Sequence, residues 1–118
     1  MYNTVMLWRN KKLEENTKAK DEAIIAIKVT DPTYKTIRDL KNDNPLMKKV
    51  ISLKEYEFSK EIKEEIAKVR AEFDVKADEI NTKANDLIAL ISDADEYADK
   101  KALAVAYGVI NADGTINA

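Results

Sequence analysis

Residues 45–91 read PLMKKVISLKEYEFSKEIKEEIAKVRAEFDVKADEINTKANDLIALI, and the reading of this stretch decides the fold. Ile62, Ile66, Val69, Phe73, Ala77, Ile80, Ala84, Leu87 and Ile91 follow one another at steps of three or four. Such steps return side chains to one face of a helix. Glu, Lys and Asp fill most positions between. No Gly or Pro interrupts 46–91. The stretch therefore predicts one long amphipathic helix over 45–91, a rod of about 70 Å if unbroken. Two successive steps of four, Val69 to Phe73 to Ala77, depart from the heptad and relax left-handed supercoiling, so the seam is only partly coiled-coil. After Ala84 the stripe widens to Leu87, Ile88, Leu90 and Ile91, which suits burial against two neighbours.

Upstream lie two start signals. Asp31-Pro32 places a side-chain acceptor at the cap and Pro at the first helical position, opening a short helix with Tyr34, Ile37 and Leu40. Asn44-Pro45 repeats the signal and opens the rod. Residues 9–30 read as a helix with a thin apolar face, Leu13, Ala19, Ala23 and Ile27, although Ile24 to Thr30 is β-branched enough for a strand. Residues 1–8 suit a short strand or an anchoring arm. Trp8, the only Trp, precedes Arg9, Lys11 and Lys12. Such a cluster can hold a nucleic-acid backbone with a base stacked on the ring, but a Trp plugging a core or interface is the stronger reading in an acidic chain.

Downstream, Ser92 and Asp95 resemble a capping box that ends the rod and starts a helix over 93–107. Its alanines, Ala94, Ala98, Ala102 and Ala106, predict close packing back onto residues 80–91 as a helical hairpin. Gly108 suits the left-handed residue after this helix, with Val109 as its apolar follower. Asp113-Gly114 predicts a tight turn, the tip of a minimal hairpin. Tyr56 and Tyr97, at helical spacing, read as the rim of a core.

The whole is an all-α expectation: a long central amphipathic helix with shorter helices packed on it as a hairpin or bundle, and short strands at most at the termini. We read 1–118 as a single helical domain: an N-terminal arm and short helices over 1–44, the long helix over 45–91, and a C-terminal helix and turn over 92–118. Two Gly and two Pro in 118 residues agree with helices over turn-rich β structure. Charged residues are 36% of the chain and the net charge is −2. That sum hides an asymmetry. Residues 1–60 carry 13 Lys and Arg against 9 Asp and Glu, and residues 61–118 carry 7 against 13.

Much chemistry is excluded. With no Cys there are no disulfides, thiolate metal sites or cysteine nucleophiles. With no His, the commonest general base and metal ligand is missing. The glycines, 108 and 114, cannot build a phosphate loop. The acids Asp93, Asp95, Glu96 and Asp99 fail as a calcium loop, because Ala98 stands where Gly is needed and Ala104 where Glu is needed. They fit negative charge at a helix N-terminus. Pairs such as Glu64/Glu65 and Asp78/Glu79 read as a solvated face. No catalytic, cofactor or metal residues are therefore expected, and the chain is not read as an enzyme. The N-terminus lacks signal-peptide design, and the longest apolar run, Ala102 to Ile110, falls short of the ~18 residues that span a bilayer.

In composition the chain resembles the small, Lys/Asn/Ile-rich, cysteine-free helical proteins of bacteria and their phages. That resemblance carries no motif; it implies a cytoplasmic protein or a virion component. The expected function is a non-enzymatic helical interaction or assembly protein, acting as a homo-oligomer or as a subunit of a larger assembly. The interface candidates are Trp8, Ile62, Ile66, Val69, Phe73 and Ile80. One alternative is a small inhibitor or adaptor whose acidic C-terminal half faces a basic groove on a larger machine. Another is a nucleic-acid binder using the basic N-terminal half. Protein partners rank first, nucleic acid well behind, and no membrane is expected.

Overall fold

The structure is a computed structural model that describes residues 1–46, 53–54 and 56–117. Among them are four helices: α1 (Tyr2–Lys28), α2 (Pro32–Asp43), α3 (Lys60–Asp93) and α4 (Tyr97–Ala106). The fold is all-α, with the long α3 packed against α1 and α4. No helix among the described residues is long and apolar enough to cross a membrane. The chain forms two compact units, one of Met1–Lys18 with Phe73–Ala118, the other of Ala19–Glu72. α1 and α3 each contribute residues to both.

The central helix starts later than its pattern predicts. The segment 53–59 is not helical where described, so the 45–91 rod is corrected to Lys60–Asp93. Two physical causes are visible. Ser59 caps α3: its Oγ accepts from the Ile62 backbone N–H at 3.3 Å. Before it, Tyr56 and Phe58 form an aromatic cluster with Tyr34, with ring centroids 4.9–5.3 Å apart. The alternation Tyr56-Glu57-Phe58 has period two, an extended signal inside a helical frame. The Asn44 side chain does accept from the Leu46 N–H at 3.1 Å, as a start signal should, but residues 47–52 lie outside the described set.

Residues 2–8 are helix, neither strand nor arm. Met1, Val5, Trp8 and Lys12 are spaced four, three and four, and they continue inward through Asn16 and Lys20 to Ile24. The polar middle of this stripe, Lys12, Asn16 and Lys20, hides the inward face of the helix, which the sequence suggests at Leu13, Ala19, Ala23 and Ile27. Packing of Val5 and Trp8 overrides the local β preference of Thr4 and Val5. In the first unit the Asn16 side-chain amide donates to the Phe73 carbonyl at 3.0 Å.

Asp31 caps α2, its Oδ1 accepting from the N–H groups of Thr33 and Tyr34 at 3.0 and 3.1 Å. Its Oδ2 accepts from the Tyr56 hydroxyl at 2.9 Å, tying the aromatic cluster to the cap. Burial, then the Asp31 hydrogen bond and charge, raise the Tyr56 pKa.

The second hairpin helix differs from its prediction in cap and in face. Ser92 donates its hydroxyl back to the Ile88 carbonyl and caps nothing. α4 begins at Tyr97 behind Glu96, which makes no side-chain cap bond. Ala98, Ala102 and Ala106 are exposed, and α4 packs instead through Ala104, with Leu103 and Tyr107 beside it. Three and four residues before Tyr107 lie Ala104 and Leu103, and the bulk of Leu103 and Tyr107 on either side of Ala104 decides which face turns in. Tyr97 is 67% exposed and rims no core. Consequently Ala104→Leu is expected to overpack the contact by about 1–3 kcal/mol. Ala98→Leu should stay within about 0.5 kcal/mol of the parent. Thermal melts of the two variants check this; equal melting points would place α4 the other way round.

The end of α4 follows its prediction closely. Gly108 has φ +73°, the Val109 N–H bonds the Ala104 carbonyl and the Gly108 N–H bonds the Val105 carbonyl, both at 3.0 Å. That pair of bonds is a Schellman ending, and Val109 is its buried apolar follower. The tail then closes a minimal hairpin, with an antiparallel bridge between Ile110 and Ile116. At its tip Asp113 Oδ1 accepts from the Thr115 hydroxyl and N–H at 2.6 and 2.9 Å, and these bonds hold the Asp113 carboxyl below its ordinary value. A depressed carboxyl contributes stability above the ordinary value of about 3.9, lost as pH falls through the folded value. The Thr115 amide shift should therefore titrate with a midpoint below that of a free Asp. A midpoint at or above it would mean the bonds do not persist.

Candidate interaction surfaces

The core of the first unit joins Val5 and Trp8 of α1, Ala84, Leu87 and Ile91 of α3, Ala104 of α4, and Val109 and Ile110 of the tail. Trp8 is thus a core residue of the chain, 5% exposed, and of the core and interface roles expected for it the structure shows the core one. Its indole N–H is buried with no acceptor among the described residues. The Lys83 ammonium lies 5.4 Å from the ring centroid, a cation–π contact that covers one face.

The seam candidates fall in both units. Phe73 and Ile80 lie in the first, Ile62, Ile66 and Val69 in the second. All five are half-buried within the chain. The second unit is thinly packed: among its described residues only Ile24 and Tyr34 are buried. Its α3 residues keep part of their apolar stripe uncovered, and large apolar side chains such as Leu40 and Leu46 are exposed outright. α1 is 27 residues long and starts at Tyr2, seven residues before the thin-faced helix that the sequence suggests over 9–30.

The first unit also carries a cleft that the sequence did not point to. It has a volume of about 660 Å³ and lies between α3 and the end of α4. Val75, Asp78, Glu79, Thr82, Lys83 and Asp86 form the α3 wall, and Ala106 and Tyr107 the other. Their spacing on α3, three and four apart, is a signal that was legible as a face but not as a groove, because the position of α4 was misjudged. No family model, curated protein or solved structure matches the chain.

Proposed function

We propose that the chain is a non-enzymatic helical assembly protein that works by presenting the α3 stripe of its second unit to another chain. The observation that carries this reading is the thin packing of that unit. Small folds are marginal unless they bury a large share of their apolar surface. Here Ile62, Ile66 and Val69 stay half-covered, with only Ile24 and Tyr34 buried beside them among the described residues. Completing their burial is worth roughly 1 kcal/mol each. A second copy in a symmetric dimer supplies the cover most economically, because one stripe then serves both sides.

The test is Ile66→Asp, read by sedimentation and circular dichroism together. Under this reading the parent sediments as an oligomer, and the variant as a monomer that keeps its helix signal. A parent that is monomeric at high concentration, with a variant merely destabilised, would overturn it.

A further inference from the structure

We propose that the cleft of the first unit, between Val75, Asp78, Thr82 and Asp86 on α3 and Ala106 and Tyr107 at the end of α4, docks a basic segment of another protein. That segment inserts an apolar side chain among the acids. This surface is separate from the stripe invoked for assembly, and either can fail without the other.

The first argument is the disposition of charge. This half of α3 has two lysines, and both lie over aromatic rings. Lys76 lies 4.6 Å from the Phe73 ring centroid and Lys83 5.4 Å from that of Trp8. Lys83 has Glu79 four residues before it and Asp86 three after, the spacings at which helical ion pairs form. It takes neither. Among the described residues, no ion pair involves Asp78, Glu79 or Asp86, although such pairs do form elsewhere, as between Lys35 and Asp39. Both cations lie over rings, and although Lys83 also lines the cleft it pairs with none of the three carboxylates there, which leaves the cleft net negative.

The second argument is the apolar ground between the acids. Val75 is 57% exposed, a β-branched side chain on the same helical face as Asp78, Thr82 and Asp86. Ala106 is exposed opposite it, and Tyr107 is half-buried. Apolar contact ringed by three carboxylates against the single ammonium of Lys83 matches an interaction patch more than a random surface.

The occupant follows by elimination. Every lining residue except Tyr107 is exposed, so the cleft is an open groove and not the enclosed chamber that buries most of a small ligand. Among the described residues no three acidic side chains converge to hold a metal ion. Nucleic acid and anionic lipid would meet like charge. A Lys- or Arg-bearing segment with an aliphatic anchor complements both features.

The probe is a synthetic amphipathic helix of lysine and leucine about five turns long, beside a lysine-only peptide and a glutamate–leucine peptide of the same length. Each is titrated into the full chain labelled for NMR. The lysine–leucine probe should shift the amides of Val75, Thr82, Asp86 and Tyr107 and the Trp8 indole, and the glutamate–leucine peptide should not. Asp78→Lys with Asp86→Lys should weaken its binding about tenfold or more, and Val75→Ser about threefold or more. These sites are exposed, and an unchanged helix signal confirms that the variants fold.

Three results would overturn the proposal. The lysine-only peptide could bind as well, which would mean diffuse charge attraction alone. The shifts could fall elsewhere. The cleft amides could move on concentrating the protein by itself, which would make a second copy the occupant. Sedimentation of each variant is read alongside, so that loss of assembly and loss of cleft binding are told apart.

Discussion

Trp8→Ala is expected to destabilise the first unit by about 3–5 kcal/mol, the range for removing a buried aromatic. The side chain is 5% exposed and packs in one cluster with Val5, Leu87 and Val109. Its loss also releases Lys83, forfeiting a cation–π contact of about 0.5–1 kcal/mol. One effect opposes these. The indole N–H is buried without an acceptor among the described residues, and deleting such a group recovers about 1–3 kcal/mol. The cavity outweighs it, so the net cost falls toward the lower end of the range. Trp8→Phe separates the two effects, because it keeps a ring and removes the orphan donor. It should cost far less than the alanine variant. Urea unfolding followed by circular dichroism measures both, and an alanine variant as stable as the parent would remove Trp8 from the core.

What was legible in the sequence was whatever one local rule determined. The Asp31 cap, the Gly108 ending and the turn at Asp113-Gly114 each rest on a few adjacent residues, and each is found as read. The later seam, Ala84, Leu87 and Ile91, is equally plain and forms the center of the buried cluster. What failed depends on distant partners. The start of α3 is decided by an aromatic cluster that draws Tyr56 and Phe58 toward Tyr34, more than twenty residues away in sequence. The inward face of α1 is hidden by the polar Lys12, Asn16 and Lys20, and its first turns by the β-branched Thr4 and Val5. The face of α4 was misread because alanine favours close approach but does not compel it, and Leu103, Ala104 and Tyr107 turn in instead.

The candidate surfaces follow the same division. The seam was legible as a stripe, but how far one chain covers it depends on distant packing, and the interface candidates along it are half-buried. The cleft needs the end of α4 beside α3, which no local pattern states. Charge asymmetry gave its sign alone: the acidic half was visible, but not that Lys76 and Lys83 withdraw onto aromatic rings.

Leu87→Ala is the second large effect, expected at about 2–5 kcal/mol and toward the upper part of that range. The cost of such a cavity depends on how far neighbours can collapse into it. Leu87 is fully buried, and two of its fully buried cluster partners, Ala84 and Ala104, have no side chain to swing into the void. The other buried partners are Ile91, one turn on along α3, and residues of α1 and the tail. The Schellman ending fixes Val109, and the bridge to Ile116 fixes Ile110, so neither can follow. Leu87→Met, which keeps the volume, should cost less than about 1.5 kcal/mol. Leu90 lies three residues on and is 40% exposed, so Leu90→Ala leaves little cavity and should cost much less than Leu87→Ala. Trp8 is the only Trp and sits in the same cluster, so its fluorescence during urea unfolding reports this unit directly. If Leu87→Ala and Leu90→Ala lowered the urea midpoint equally, the seam would not turn its Leu87 face into the core.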